Sequence, residues 1–206
     1  MSAYAETMST LRDYRKRIEA LRVEMRQAEA AVEPEEVADY ALQTSNGPVK
    51  LSELFGSKKD LFVIHNMGRS CIYCTMWADG YNGVYDHLAD RAAFVISSPD
   101  APDVQKAFAE SRGWRFPMVS HMGTTFAADM GYRRRFEDEN DEKVGGWHPG
   151  ISVFRKEGDK ILRVSDTDLG PGDDFCAVWH LFDMLPQGAD GWRPKYQYKG
   201  LAAAAE

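Results

Sequence analysis

Hydrophobic and polar positions alternate with clear periods along most of this chain, and the periods change from segment to segment. The first is helical. Leu11, Tyr14, Ile18, Leu21, Met25, Ala28 and Val32 follow a strict three-four spacing, a narrow apolar seam suited to packing on another helix. With Leu11 as the first position of a heptad, an antiparallel pair of such helices sets Arg17 against Glu24 of the partner and Arg15 against Glu29 of the partner. A parallel pair sets like against like, Arg17 against Arg22 and Glu24 against Glu29. The seam predicts either a homodimer through this helix, antiparallel, or a helix that covers its own domain. Glu33-Pro34 ends it, because proline cannot continue a helix.

Shorter elements follow. Tyr40 and Leu42 alternate with polar residues, Asn46-Gly47 reads as a hairpin turn, and Val49 and Leu51 lie on the return. Ser52 is placed to cap a short turn through Leu54-Phe55-Gly56. Leu61–Asn66 and Ala92–Ser97 are apolar runs of strand length, so both read as buried strands. A helix is expected over Trp77–Leu88. Another opens at Pro102, with Val104, Ala107 and Phe108 as its apolar stripe. Phe116–Ser120 reads as a short strand and Thr125–Met130 as a weak helix. Arg133 to Gly146 breaks the pattern with three arginines, a run of acids and Gly-Gly, and is read as a solvated loop. Gly150–Arg155 and Lys160–Ser165 form a hairpin around Lys156-Glu157-Gly158-Asp159. A last helix is expected near the cap Asp173, with Phe175, Val178, Trp179, Phe182 and Leu185 on its apolar face; the tail from Pro186 reads as irregular. Strand, helix, strand, helix, hairpin and helix amount to an α/β protein, a mixed sheet flanked by helices. The expected division is a helical arm at 1–34 and one domain at 35–206.

Length and charge narrow the function. The 206 residues suffice for a substantial core. The net charge of −7 disfavours a nucleic-acid partner, which normally requires a basic face. No stretch approaches a membrane span, and the first residues have no apolar signal region, so a cytoplasmic location is expected. Three cysteines are too few for a secreted disulfide framework.

Two of them carry the chemistry. Cys71-Ile72-Tyr73-Cys74 stands between a buried strand and a helix. A cysteine at a helix N-terminus meets unpaired N–H groups and the positive end of the helix dipole, both of which favour the thiolate. Cys71 is therefore the expected nucleophile, with Arg69 adding positive charge. Cys74, one turn on, is the expected resolving thiol. Such a pair needs no cofactor, and its partner is a protein or small-molecule thiol or disulfide.

The region from about Val37 to Leu185 resembles the thioredoxin superfamily. The stretches M-G-R-S-C-I-Y-C-T-M-W-A-D-G-Y-N-G, R-G-W-R-F-P-M-V-S, P-G-I-S-V-F and G-P-G-D-D-F-C-A-V-W-H-L-F resemble more specifically a bacterial thioredoxin-like family of unknown function, labelled predicted dithiol–disulfide oxidoreductase. The resemblance implies a thioredoxin-like fold and the two cysteine roles. By position it also implies that His65, six residues before Cys71, stands where thioredoxins carry a buried acid that deprotonates the second cysteine. The alternative for His65 is a buried, hydrogen-bonded core histidine. Pro149 matches the thioredoxin cis-proline beside the disulfide, against an ordinary trans proline entering a strand. His148 is then a candidate supporting group bordering the dithiol. The sequence departs from thioredoxins at Ser70, where tryptophan is usual, and at Ile72-Tyr73, which lacks proline.

Two alternatives stay open. One is a thiol peroxidase acting through Cys71. Peroxiredoxins resemble P-x-x-x-[ST]-x-x-C, and counting back from Cys71 gives Gly68 and Ile64, which do not fit. The other is a non-catalytic protein with a structural zinc held by Cys71, Cys74, Cys176 and His180, the last two sharing a helix face at a spacing of four.

Overall fold

A computed structural model describes residues 2–133 and 146–198. Most of the expected charged loop at 133–146 and the alanine-rich end lie outside the described residues. The elements are the helix α1 (Ala3–Ala30), strands β1 (Glu35–Val37), β2 (Ala41–Thr44), β3 (Gly47–Lys50) and β4 (Asp60–His65), helix α2 (Ile72–Arg91), strand β5 (Ala93–Ser98), helix α3 (Pro102–Arg112), strand β6 (Met118–Ser120), helix α4 (Phe126–Asp129), strands β7 (Gly150–Glu157) and β8 (Lys160–Asp168), and helix α5 (Ala177–Phe182).

Eight strands form one mixed sheet in the order β1-β8-β7-β4-β5-β6-β2-β3. The pairs β4–β5 and β5–β6 are parallel and the other neighbours antiparallel. This is the expected α/β sheet flanked by helices, with a long N-terminal helix, and it has the thioredoxin-like fold.

Strand alternation splits the core in two. On β4, Phe62 and Ile64 face α2, α5 and the aromatic residues Trp77, Tyr81, Trp114 and Trp179. Leu61 and Val63 face the other way, onto Leu42, Phe55, Phe126, Tyr132 and Phe154. Each large apolar side chain fully buried on either face contributes about 1.5–3 kcal/mol relative to exposure. The two faces are what fix the register of the central strands.

Local signals explain the element ends. Pro102 opens α3 at its first turn, and Gly113, at φ +66°, closes it in the left-handed region. Arg112 ion-pairs with Asp79 on α2, Trp114 Nε1 donates to Asp79 Oδ1 at 2.8 Å, and Asn82 bonds the Gly113 carbonyl and the Arg115 N–H. These side chains brace α2 against the turn after α3. Gly150 has no room for a side chain, since a Cβ there would run into the Tyr132 ring and the Thr167 carbonyl.

Several elements differ from expectation. Helix α2 starts at Ile72, five residues early, so Cys74 lies inside its first turn. The first hairpin turns on Ser45-Asn46, because Gly47 already pairs with Thr44. Ser52 caps nothing; its N–H and hydroxyl both bond Asp39. Asp173 shapes a turn by accepting from the N–H groups of Gly170 and Phe175, which delays α5 to Ala177 and shortens it. No residue of α1 is buried: Leu11, Tyr14, Ile18, Leu21 and Met25 all stay exposed in the single chain. Arg22 of α1 pairs with Asp174 ahead of α5. No described helix is long and apolar enough to cross a membrane.

Candidate active site

The parallel strand β4 delivers the chain to the cysteines through a loop whose polar groups are closely matched. Asn66 N–H donates to the Ser97 carbonyl of β5 at 2.8 Å. The Asn66 side chain accepts from Gly68 N–H at 2.8 Å, and Asp100 accepts from Arg69 N–H at 2.7 Å. Gly68 is required here: its φ is +99°, and a Cβ would press on the Asp100 carboxylate. Cys71 N–H then donates back to the Gly68 carbonyl at 3.0 Å.

Cys71 is the N-cap of α2, and its sulfur occupies the position of a capping oxygen. Cys71 Sγ accepts the Cys74 N–H at 3.1 Å. The Cys71 thiol is pulled down to about 7, chiefly by the hydrogen bond from the Cys74 side chain, helped by the Cys74 and Tyr73 N–H groups and opposed by partial burial. Cys74 moves the other way. The same hydrogen bond and its burial push its thiol far up. Met67 N–H contacts Cys74 Sγ at 3.5 Å. One sulfur is thus half-exposed and prone to ionise, and the other is buried and holds its proton. Both are free thiols.

The flanking residues sort differently from expectation. His65 is on the wrong side of the sheet to serve Cys74. It follows Leu61 and Val63 in the β4 alternation, whereas Cys74 packs with Phe62 and Ile64. His65 is stacked on Tyr132 with ring centroids 3.9 Å apart, and its Nε2 bonds Ser152 Oγ at 2.9 Å. Burial holds it well below the ordinary imidazole range, so it is a neutral core histidine. Pro149 is trans, as is every described peptide bond, and the cis-proline expectation is corrected. It does sit at the cysteine end of the sheet, because its neighbour Gly150 pairs with His65. His148 Nε2 pairs with Asp168 Oδ1 at 3.1 Å, across the β7–β8 end. Arg69 touches the site through its backbone; its charge is not among the causes that lower Cys71.

The zinc set does not assemble. Cys176 is buried among apolar residues while His180 is exposed and paired with Asp174 and Asp183. Among the described residues no three His, Cys, Asp or Glu side chains cluster as ligands for a metal.

Two features escaped the sequence reading. Asp100 anchors the loop from the end of the neighbouring strand. Tyr196, in the tail read as irregular, donates its hydroxyl to the Arg69 carbonyl at 3.1 Å. A hydrogen bond to a backbone carbonyl leaves no pattern in side-chain spacing. Beside the site, an apolar groove of about 1430 Å³ runs between α2, the sheet and α5, and Met25 of α1 lines it.

Residues 2–201 match the model of a family described as "Bacterial protein of unknown function (DUF899)". No curated protein matches the sequence. Solved structures that resemble the chain include peroxiredoxins. Peroxidoxin BcpB from Mycobacterium tuberculosis is 26% identical, with a TM-score of 0.54 over 66% of this chain and 84% of that one. Peroxiredoxin Q from Xanthomonas campestris is 20% identical, with a TM-score of 0.52 over 63% and 80%. Reduced Prx3 from Vibrio vulnificus is 14% identical, with a TM-score of 0.53 over 69% and 89%.

Proposed function

As the chain belongs to this bacterial family of unknown function, DUF899, we propose from its own site that it is a dithiol–disulfide oxidoreductase working through Cys71 and Cys74. The observation that carries the reading is the split between the two sulfurs. Cys71 caps α2 and is pulled toward ionisation at neutral pH, while its buried neighbour keeps a proton.

The Cys71 thiolate attacks one sulfur of a substrate disulfide. A mixed disulfide forms and the other substrate sulfur leaves as a thiolate. Cys74, losing its proton to a leaving thiolate or to water, attacks Cys71 Sγ and releases the second substrate thiol. Two electrons pass to the substrate, and Cys71 and Cys74 end as a disulfide. An external dithiol restores them by the reverse exchange. The substrate is a protein or small-molecule disulfide.

The test equilibrates the protein across a series of thiol–disulfide redox buffers, traps free thiols with a maleimide and maps them by mass. One two-electron transition is expected at Cys71 and Cys74, absent in Cys71→Ser. Failure to form that disulfide at any potential removes the reading.

The peroxiredoxin-like fold favours a second reading, a thiol peroxidase. Cys71 thiolate would take the terminal oxygen of a peroxide, becoming a sulfenic acid and releasing an alcohol or water. Cys74 would then condense with it, expelling water and forming the same disulfide. Peroxide consumption no faster than that of Cys71→Ser would exclude this.

A further inference from the structure

The C-terminal segment after α5 returns to the cysteine loop. Asp190 and Gly191, both at positive φ, reverse the chain. Trp192 then packs edge-on against Phe182 and Trp179, with centroids 4.9 and 6.2 Å away. From this anchor, residues 192–198 run to Arg69. Tyr196 is held at both ends. Its hydroxyl donates to the Arg69 carbonyl at 3.1 Å, and its own carbonyl accepts from Arg112 Nη1 at 2.6 Å. Arg112 is itself fixed by its ion pair with Asp79 on α2. A continuous line of polar contacts thus runs from α2 through Arg112 and Tyr196 to the residue two before Cys71.

Burial pushes the ionisation of the phenol up, and negative charge on Cys71 or Cys74 adds to it, which places the phenol within electrostatic reach of both sulfurs. Asp100 accepts from the N–H of the same residue, Arg69, whose carbonyl Tyr196 bonds. Both backbone groups of Arg69, two residues before Cys71, are thus tied while the Tyr196 bond holds.

We propose that Tyr196 is a specificity-determining residue for Cys71. By tying residues 192–198 to the loop that presents the nucleophile, it admits compact thiols and disulfides to the sulfur and holds bulky ones away. This rests on the dithiol reading for its biological use, but its test does not require turnover.

Cys71 labelling, read by peptide mass, is timed with two maleimides sharing one reactive head: N-ethylmaleimide and a maleimide on a long polyethylene glycol chain. In Tyr196→Phe the phenol oxygen and its bond to Arg69 are lost. The bulky reagent should gain roughly fivefold relative to the small one, the size expected for one hydrogen bond. Tyr196→Ala should exceed that, and Arg112→Gln should move the ratio the same way. An unchanged ratio overturns the proposal. So does an equal gain for both reagents, which would mean that Tyr196 tunes the acidity of the thiol. If the alanine variant fails to fold, Tyr196→Phe decides alone. A raised ratio in a protein that forms no Cys71–Cys74 disulfide keeps the role of Tyr196 and removes the oxidoreductase. An unchanged ratio in one that does form it removes the role of Tyr196 only.

Discussion

At the scale of single residues, the site depends on one sulfur taking the place of a capping oxygen. An N-cap group accepts N–H donors that the helix cannot satisfy itself, and a thiolate accepts them better than a thiol. The N–H groups of α2 and the Cys74 side chain therefore act on Cys71 in the same direction. The alkylation rate of Cys71 should rise with pH through a midpoint near 7, about where the thiol has been pulled from its ordinary value of 9.0. Because the largest cause is the Cys74 side chain, Cys74→Ala should move that midpoint upward while leaving the backbone donors in place. Cys74→Ser, whose hydroxyl still donates, should restore most of the shift. A midpoint unchanged in Cys74→Ala would assign the effect to the helix terminus alone. His65→Ala should leave the midpoint where it is, because that imidazole lies across the sheet.

At the scale of elements, the readable parts were those in which burial and period agree. β4 and β5 are apolar runs of strand length, and α3 carries its start in Pro102 and its stop in Gly113. What could not be read lacks an apolar signature. β1 is Glu35-Glu36-Val37, an edge strand held to β8 by pairing and by Lys160–Glu36 and Arg163–Glu35 ion pairs. The apolar period shows α2 only from Trp77, because Ile72, Tyr73 and Cys74 in its first turn have no strong helix preference; its true start at the cysteine pair is legible from the placement of Cys71 alone. The side of His65 was in principle legible from the Leu61-Val63-His65 alternation, yet counting back from Cys71 in the thioredoxin pattern passed over it. α1 is the opposite case, a clear seam that the single chain leaves open. Ile18→Asp separates the two uses of that seam. Since Ile18 is 48% exposed, the substitution should cost the single chain less than about 0.5 kcal/mol in urea unfolding. If two copies pair through α1, a charge at its centre should also reduce the mass by light scattering to one chain. A large loss of stability at single-chain mass would mean that the seam covers its own domain.

At the scale of the whole molecule, the second face of the sheet sets an acid limit. His65 and His121 are both buried there, with His121 Nδ1 bonded to Ser97 Oγ at 3.0 Å and its ring against Trp147. Burial depresses both, His121 and then Arg163 adding to the effect on His65 and Arg133 to that on His121, which falls to about 4. An unfolded imidazole titrates near 6.5. Between these values the unfolded chain binds the proton that the folded chain refuses, so stability falls as pH falls through that window. His121 alone accounts for about 3 kcal/mol by the bottom of it, and His65 adds with the same sign. The ion-paired Asp60 does not contribute there. Its carboxyl is held below its ordinary 3.8, so what it adds is lost only in stronger acid. The net charge of −7 at pH 7 also shrinks toward the isoelectric point near 5.3, which relieves self-repulsion and opposes the histidine effect. Urea unfolding from pH 7 to 4.5 should therefore show a fall in stability in the wild type. The fall should be flatter in His121→Asn, which keeps a polar partner for Ser97 but does not titrate. The same pH dependence in His121→Asn as in the wild type would show that the His121 imidazole is hydrated and does not set the limit. The same neutral or higher pH that keeps both histidines uncharged also favours the Cys71 thiolate, so the buried histidines and Cys71, on opposite faces of the sheet, set one common pH range.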